Sequence, residues 1–108
     1  FHFGLNVYLA PNVVLLGQDF IYLADQVMIG VGSILSTGNH TLLNGSYRYG
    51  ISQAAPIKIG YGRWVGANFT IMAGVTIGKS VVIGSNTAVS KDCLVPGLYA
   101  GAKVSFIK

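Results

Sequence analysis

The amino-acid sequence predicts an all-β parallel β-helix, and three observations carry the prediction. Reading from Ile59 in steps of six gives Ile59, Val65, Ile71, Ile77, Ile83, Val89 and Val95, a Val or Ile at every step. Gly follows the anchor at Gly60, Gly66, Gly78 and Gly84, while the residues between vary freely. The same period runs upstream through Phe3, Leu9 and Leu15, and again through Leu23, Ile29 and Leu35. A period of six fits neither an amphipathic helix nor a simple hairpin. It fits a solenoid in which each hexapeptide makes one short strand and one corner. Three hexapeptides close a triangular turn of roughly 18 residues, so the chain supplies about four turns.

Taken in order, the first turn is anchored on Phe3, Leu9 and Leu15, and the second on Leu23, Ile29 and Leu35. The step from Leu15 to Leu23 is eight rather than six, which places a two-residue bulge at the corner near Gly17 and Gln18. The third turn is anchored on Ile59, Val65 and Ile71, and the fourth on Ile77, Ile83 and Val89. Side chains alternate along a strand, so the residue four past each anchor also faces inward and must be small. Val7, Val13, Val27, Ser33, Val75, Val81, Thr87 and Cys93 obey; Arg63 and Phe69 do not. A buried, unpaired guanidinium at Arg63 would be costly, so it turns outward or meets a partner. Between Leu35 and Ile59 the continued anchors would be Thr41, Tyr47 and Gln53, a poor interior. The segment at about residues 37–56 therefore leaves the prism as a loop, and long loops in compact domains tend to be functional. Pro96-Gly97 ends the repeat, and Leu98–Lys108 reads as a tail.

The 108 residues make a single domain, 1–108, with 52% hydrophobic and 9% charged residues, too apolar for a disordered segment. The first residue is Phe rather than Met, which leaves open a natural start further upstream. No apolar run is long enough to span a membrane, and no signal-peptide layout precedes the repeats. One cysteine, Cys93, cannot form an internal disulfide, which favours a cytoplasmic, reducing setting; it reads as a small buried residue. All seven Lys and Arg lie at or after Arg48 with a single acid, Asp92, giving that part a net +6. Its bases are dispersed singly along the repeats, which suits a small polyanion better than the continuous stripe a nucleic acid needs. Four turns bury little core and leave flat faces bearing Tyr, Phe and Trp, so a symmetric trimer is expected.

Two histidines are available for chemistry. His2, in Phe-His-Phe-Gly, reads as an outward-facing strand residue at the edge of the first coil. His40 lies in Ser36-Thr37-Gly38-Asn39-His40, where the coil gives way to the loop. An imidazole anchored on a rigid edge is placed to act as a general base near neutral pH; a solvated loop histidine is the plainer alternative.

The chain resembles the hexapeptide-repeat acyltransferases, especially the galactoside/maltose O-acetyltransferases and the acetyltransferases of polysaccharide synthesis. The resemblance covers nearly all of it. It rests on Ser36-Thr37-Gly38-Asn39-His40, Ala55-Pro56-Ile57-Lys58-Ile59-Gly60 leading to Arg63-Trp64-Val65-Gly66, Ala73-Gly74-Val75-Thr76-Ile77-Gly78, and Val89-Ser90-Lys91-Asp92. It implies a left-handed coil, an exception to the usual handedness of parallel crossovers. It also implies a homotrimer with active sites between subunits, and transfer of acetyl from acetyl-CoA to a sugar or glycan hydroxyl. His40 would take the acceptor proton in a direct ternary complex, which makes the attack effectively intramolecular. Asn12 would orient the acceptor, although a corner Asn is also favoured for turn geometry alone. Tyr47 and Arg48 would shape the acceptor pocket. Trp64 would line the pantetheine channel or pack across the subunit seam. Backbone N–H groups near Ala67 and Ser85 would hold the pantetheine amides and thioester oxygen, and Ser90, Lys91 and Lys108 would meet the CoA phosphates.

Departures from the family pattern narrow these implications. Ala67 stands where Ser is common, so an oxyanion donor must be backbone or another side chain. The Ala-Gly-x-Pro-Ala ending appears as Ala100-Gly101-Ala102-Lys103-Val104, with Lys103 a substitute contact for the adenine end. A xenobiotic O-acetyltransferase acting on an antibiotic hydroxyl, and a non-catalytic scaffold, remain as alternatives. A β-helix carbonic anhydrase would need three imidazoles on zinc where two histidines exist on different coils, and no metal is expected.

Overall fold

The computed structural model describes residues 1–40, 52–64, 66–102 and 104–108, with the backbone alone described at 39, 40, 52, 53, 63 and 64. The first coil contains β1 (His2–Phe3), β2 (Tyr8–Leu9) and β3 (Val14–Leu16). The second contains β4 (Ile21–Leu23), β5 (Val27–Ile29) and β6 (Ile34–Ser36). A hairpin then leaves the prism through β7 (Gly38–His40) and returns through β8 (Ser52–Ala54), paired antiparallel. The third coil contains β9 (Ile57–Ile59), β10 (Arg63–Trp64) and β11 (Thr70–Ile71), and the fourth β12 (Thr76–Ile77), β13 (Val81–Ile83) and β14 (Ala88–Val89). The chain closes with β15 (Gly97–Ala100) and β16 (Ser105–Phe106).

Parallel pairing sorts the coil strands other than β13 into three faces: β1-β4-β9-β12, β2-β5-β10 and β3-β6-β11-β14, while β13 pairs with β15. The anchors predicted from the six-residue period stack directly on one another. Phe3 pairs with Leu23, Leu23 with Ile59 and Ile59 with Ile77. On the third face Leu15, Leu35, Ile71 and Val89 form one continuous rank. Successive coils are 20 residues apart at Leu15–Leu35, which is the two-residue bulge, and 36 apart at Leu35–Ile71, where the hairpin intervenes.

These ranks are the core. Leu23, Ile29, Leu35, Ile71, Ile83 and Val89 are fully buried, as are the second-rank residues Val27, Ser33, Val75, Val81 and Thr87; Cys93 is buried too, but in the anchor rank, bridged to Ile77. Within the first coil Phe3, paired with Leu23, is 43% exposed, and Leu9 and Leu15 are only partly buried. Three residues past an anchor the backbone turns through the left-handed region, at Asn6, Asn12, Gln26, Asn68, Ser80 and Asn86, with φ from 54° to 63°. Asn tolerates this conformation better than most residues, which explains its recurrence there. Gly66 is required for a different reason: a Cβ there would lie 2.7 Å from the Ser85 backbone nitrogen on the next coil.

Two expectations from the sequence need revision. Phe69 fits inward after all and is the largest fully buried side chain among the described residues. Its rank neighbours on either side are Ser33 and Thr87, whose small volumes leave room for the ring. The end of the repeat also differs. Val95 is 61% exposed, because the last turn is two residues short: Ile77 bridges to Cys93 and Ile83 pairs with Tyr99. Tyr99 takes the next inward slot, and its hydroxyl accepts from Val95 N–H at 3.1 Å and donates to Val95 C=O at 2.8 Å. Leu98–Lys108 is therefore no loose tail. β15 extends the ladder of β13, β16 folds back antiparallel on β15, and buried Val104 covers the end of the prism. Arg63 pairs through its backbone with Val27, and its side chain lies outside the described residues.

Phe69→Ala is expected to lower stability by about 3–5 kcal/mol in chemical denaturation, since the rigid ranks around the cavity cannot collapse. Val95→Ser should change stability by less than about 0.5 kcal/mol. A Val95 effect as large as that of Phe69 would contradict the shortened last turn.

Candidate functional site

Of the residues singled out in the sequence, Asn12, Ala67 and Ser85 lie at one corner of the prism, and Ser90, Lys91 and the strand that ends in His40 lie at another. At the corner between the second and third faces, positions two past the anchors stack as Pro11, Val31, Ala67, Ser85 and Gly101, in the registers set by the neighbouring strands. Coils stack at about 4.8 Å, so this line runs about 19 Å along the prism. At its upper end a groove of about 320 Å³ opens between Tyr8, Ala10, Pro11, Met28, Val31 and Ala67. Asn12 is the next residue after Pro11, exposed, at a left-handed corner with φ 62°. Its left-handed backbone explains why Asn stands there, and it follows Pro11, which lines the groove.

Ala67 and Ser85 are brought together. The Ala67 N–H donates to Ser85 Oγ at 3.2 Å across adjacent coils. Ser85 accepts through one lone pair and keeps its O–H to donate. The close approach of Gly66 to the Ser85 backbone makes this contact possible. Trp64 lies on the same face one coil below Met28, with which it pairs; only its backbone is described.

The second gathering lies at the corner between the third and first faces. The chain leaves the prism here: β6 ends at Ser36, Thr37 turns the corner, and β7 begins at Gly38. His40 ends β7, with its Cα opposite Ser52. Thr37, which the sequence did not mark as special, is fully buried. Its Oγ1 accepts from Gln18 N–H at 2.9 Å and Asp19 N–H at 3.1 Å, and donates to Leu16 C=O at 3.0 Å. Two coils below His40's exit, Ser90 and Lys91 sit exposed at the same corner. Asp92, the third residue of the Ser-Lys-Asp run, accepts from Thr76 N–H at 2.8 Å, a backbone cap.

Lys108 is exposed and belongs to the terminal hairpin, where its C=O accepts from Leu98 N–H at 2.8 Å. Tyr47, Arg48 and Lys103 lie outside the described residues. Lys58 faces outward from β9, while Lys79, Lys91 and Lys108 sit elsewhere on the prism, so these bases form no single stripe. Among the described residues no three His, Cys, Asp or Glu side chains gather to hold a metal, and no helix is long and apolar enough to cross a membrane.

The fold is therefore that of a hexapeptide-repeat β-helix, with a hairpin interrupting the repeat at one corner and a groove at another. No family model matches the chain. Over 91 residues it is 33% identical to galactoside O-acetyltransferase of Escherichia coli K12, covering 84% of this chain and 45% of that protein. It is 34% identical to a putative acetyltransferase of Schizosaccharomyces pombe over the same length, 44% of that protein. A hexapeptide-repeat acetyltransferase of Vibrio cholerae superposes with a TM-score of 0.85 and 29% identity, over 98% of this chain and 60% of its own. Galactoside acetyltransferase in complex with coenzyme A superposes at 0.77 with 26% identity, over 95% of this chain and 55% of its own. The chain thus spans about half the length of the curated relatives it matches. By sequence and fold it groups with the hexapeptide-repeat acyltransferases, whose coil is left-handed.

Cys93 is buried within the coil. Burial raises its thiol pKa first and the Asp92 carboxylate adds to it, with Lys91 opposing. A thiol whose folded pKa is raised contributes stability that is fully present below the unfolded value of about 8.5 and lost as pH rises through the folded one. Stability should therefore decline above about pH 8.5, and Cys93→Ala should flatten that part of the profile. In native protein at pH 8, thiol reagents should label Cys93 slowly, and rapidly once urea is added.

Proposed function

We propose that this protein transfers an acetyl group from acetyl-CoA to a hydroxyl of a sugar or glycan precursor, with His40 as general base. The observation that carries the reading is the corner line Pro11–Val31–Ala67–Ser85–Gly101, with a groove at one end and a hydrogen-bonded Ala67–Ser85 pair in the middle. An extended, amide-bearing arm such as pantetheine can lie along such a line and meet polar groups repeating at the coil spacing of about 4.8 Å. Asn12 at the groove end would face the acceptor, and Ser85 O–H would donate to the arm or the thioester oxygen. Trp64, Ser90, Lys91, Lys103 and Lys108 are the further candidates for the cofactor, and Tyr47 and Arg48 for the acceptor. Relatives named for coenzyme A and acetyl coenzyme A complexes support the cofactor assignment.

Acetyl transfer needs no acyl-enzyme. The acceptor O–H gives its proton to the His40 imidazole as its oxygen attacks the thioester carbonyl. The tetrahedral oxyanion is held by a hydrogen-bond donor, and collapse expels the CoA thiolate, which takes the proton back. Donors aimed at the developing oxyanion lower the barrier most.

The same geometry supports a homotrimer. Asn12, Ala67 and Ser85 stand at one corner, whereas the His40 strand, Ser90 and Lys91 leave from the other edge of the β3-β6-β11-β14 face. That face is about three residues, or about 10 Å, wide. A symmetric trimer that packs one corner against the next subunit's other corner would complete the site. Its apolar contact surface would include the outward Tyr8 and Met28 on one face and Val14 and Ile34 on the next, all partly exposed in the single chain. The single buried cysteine suits a cytoplasmic setting.

His40→Ala is expected to lower acetyl transfer at least about 100-fold, with CoA binding by calorimetry unchanged. Purified protein would be assayed with acetyl-CoA against maltose, galactosides and hydroxyl-bearing antibiotics. Turnover of antibiotics alone would favour the xenobiotic acetyltransferase, and failure to bind millimolar CoA would favour a scaffold. Sedimentation of the purified protein as a monomer would refute the trimer.

A further inference from the structure

The two-residue bulge at Gly17–Gln18 and the exit of the His40 strand occupy the same corner on adjacent coils. Leu16 pairs with Ser36, which sets Gly17 beside Thr37 and Gln18 beside Gly38. The bulge turns two successive N–H groups, of Gln18 and Asp19, toward one acceptor, and that acceptor is Thr37 Oγ1. The hydroxyl's own proton goes to Leu16 C=O, which also accepts the Thr37 N–H at 3.0 Å. A threonine hydroxyl has one proton and two lone pairs, so its capacity is fully used.

Both arms of the hairpin are tied to this residue. Thr37 immediately precedes β7, and its C=O accepts from Ala55 N–H at 2.9 Å, directly after β8. Gly38 also passes close to the bulge: a Cβ there would lie 3.0 Å from Gln18 Oε1. The equivalent corner positions on the other coils are Gly17, Ala73 and Lys91, none with a hydroxyl. A buried hydroxyl thus stands at the one corner of this rank where the chain leaves the prism.

We propose that Thr37 is the positioning residue of the active site, its hydroxyl clamped on the bulge so that β7 leaves the coil on one fixed path to His40. The inference rests on the reading of His40 as general base. It assigns the bulge a purpose: an extra pair of residues in the first coil supplies the two donors that a regular corner lacks. An error of about 1 Å in the placement of a general base costs on the order of 100-fold in rate.

The test compares Thr37→Val, Thr37→Ser and His40→Ala, using acetyl-CoA and whichever acceptor of the panel above is turned over fastest. Thr37→Val keeps the shape and removes the hydroxyl. Its kcat should fall about 10- to 100-fold while KM for acetyl-CoA and the Kd of CoA change less than about twofold. Thr37→Ser restores the hydroxyl and should recover kcat to within about threefold of the natural protein. If Thr37→Val yields no folded protein, Thr37→Ala takes its place, judged by the same split between kcat and CoA affinity. The proposal is overturned if the hydroxyl-free variant keeps its kcat while His40→Ala is inactive. It is overturned equally if CoA affinity falls in step with kcat, or if Thr37→Ser loses as much as Thr37→Val, since packing would then be the cause. Undiminished turnover in His40→Ala would sink the base assignment itself, a separate outcome.

Discussion

Each coil of this protein can bury its inward side chains only against the coils above and below it. That one-dimensional stacking decides most of what else is seen. It demands the same residue class at each level of a rank, hence Leu23, Ile59 and Ile77 in succession. It demands close corners, hence Gly66 beneath the Ser85 backbone and Asn at the left-handed positions.

The stacking tolerates departures from the period where a side chain re-satisfies the backbone that the departure frees. The long step after Leu15 is closed by Thr37 Oγ1, which takes up the two extra N–H groups. The short last turn is closed by the Tyr99 hydroxyl on both polar groups of Val95. The oversized Phe69 sits beside Ser33, whose Oγ accepts the Phe69 N–H at 3.4 Å and donates to Gly66 C=O at 3.4 Å. Among the described residues no buried side-chain nitrogen or oxygen lacks a partner. Leaving such a group unpaired would cost about 1–3 kcal/mol, a large fraction of a small domain's stability. Irregularities survive here only where they are hydrogen-bonded, and one of them carries the strand that ends in His40.

The inward ranks, the bulge near Gly17 and the departure of the chain after Ser36 were all legible in the sequence, because each is a statement about local spacing. Asn12, Ala67 and Ser85 were legible as candidates through likeness to a family, but their spacing in the chain says nothing of a shared corner. Thr37 was passed over because a threonine in Ser-Thr-Gly-Asn-His looks like ordinary loop polarity. Its distinguishing neighbours, Gln18 and Asp19, lie 19 and 18 residues away.

The sequence by itself determined the period, most of the residues that face inward and the place where the repeat opens, since alternation and corner geometry act within six residues. Only the tertiary structure decided that Phe69 fits, that Val95 turns outward and that the candidate residues divide between two corners. The reason is physical. Volume compensation and hydrogen-bond satisfaction operate along the ranks, between residues 16 to 36 positions apart. Those pairings exist only once the coils are stacked in register.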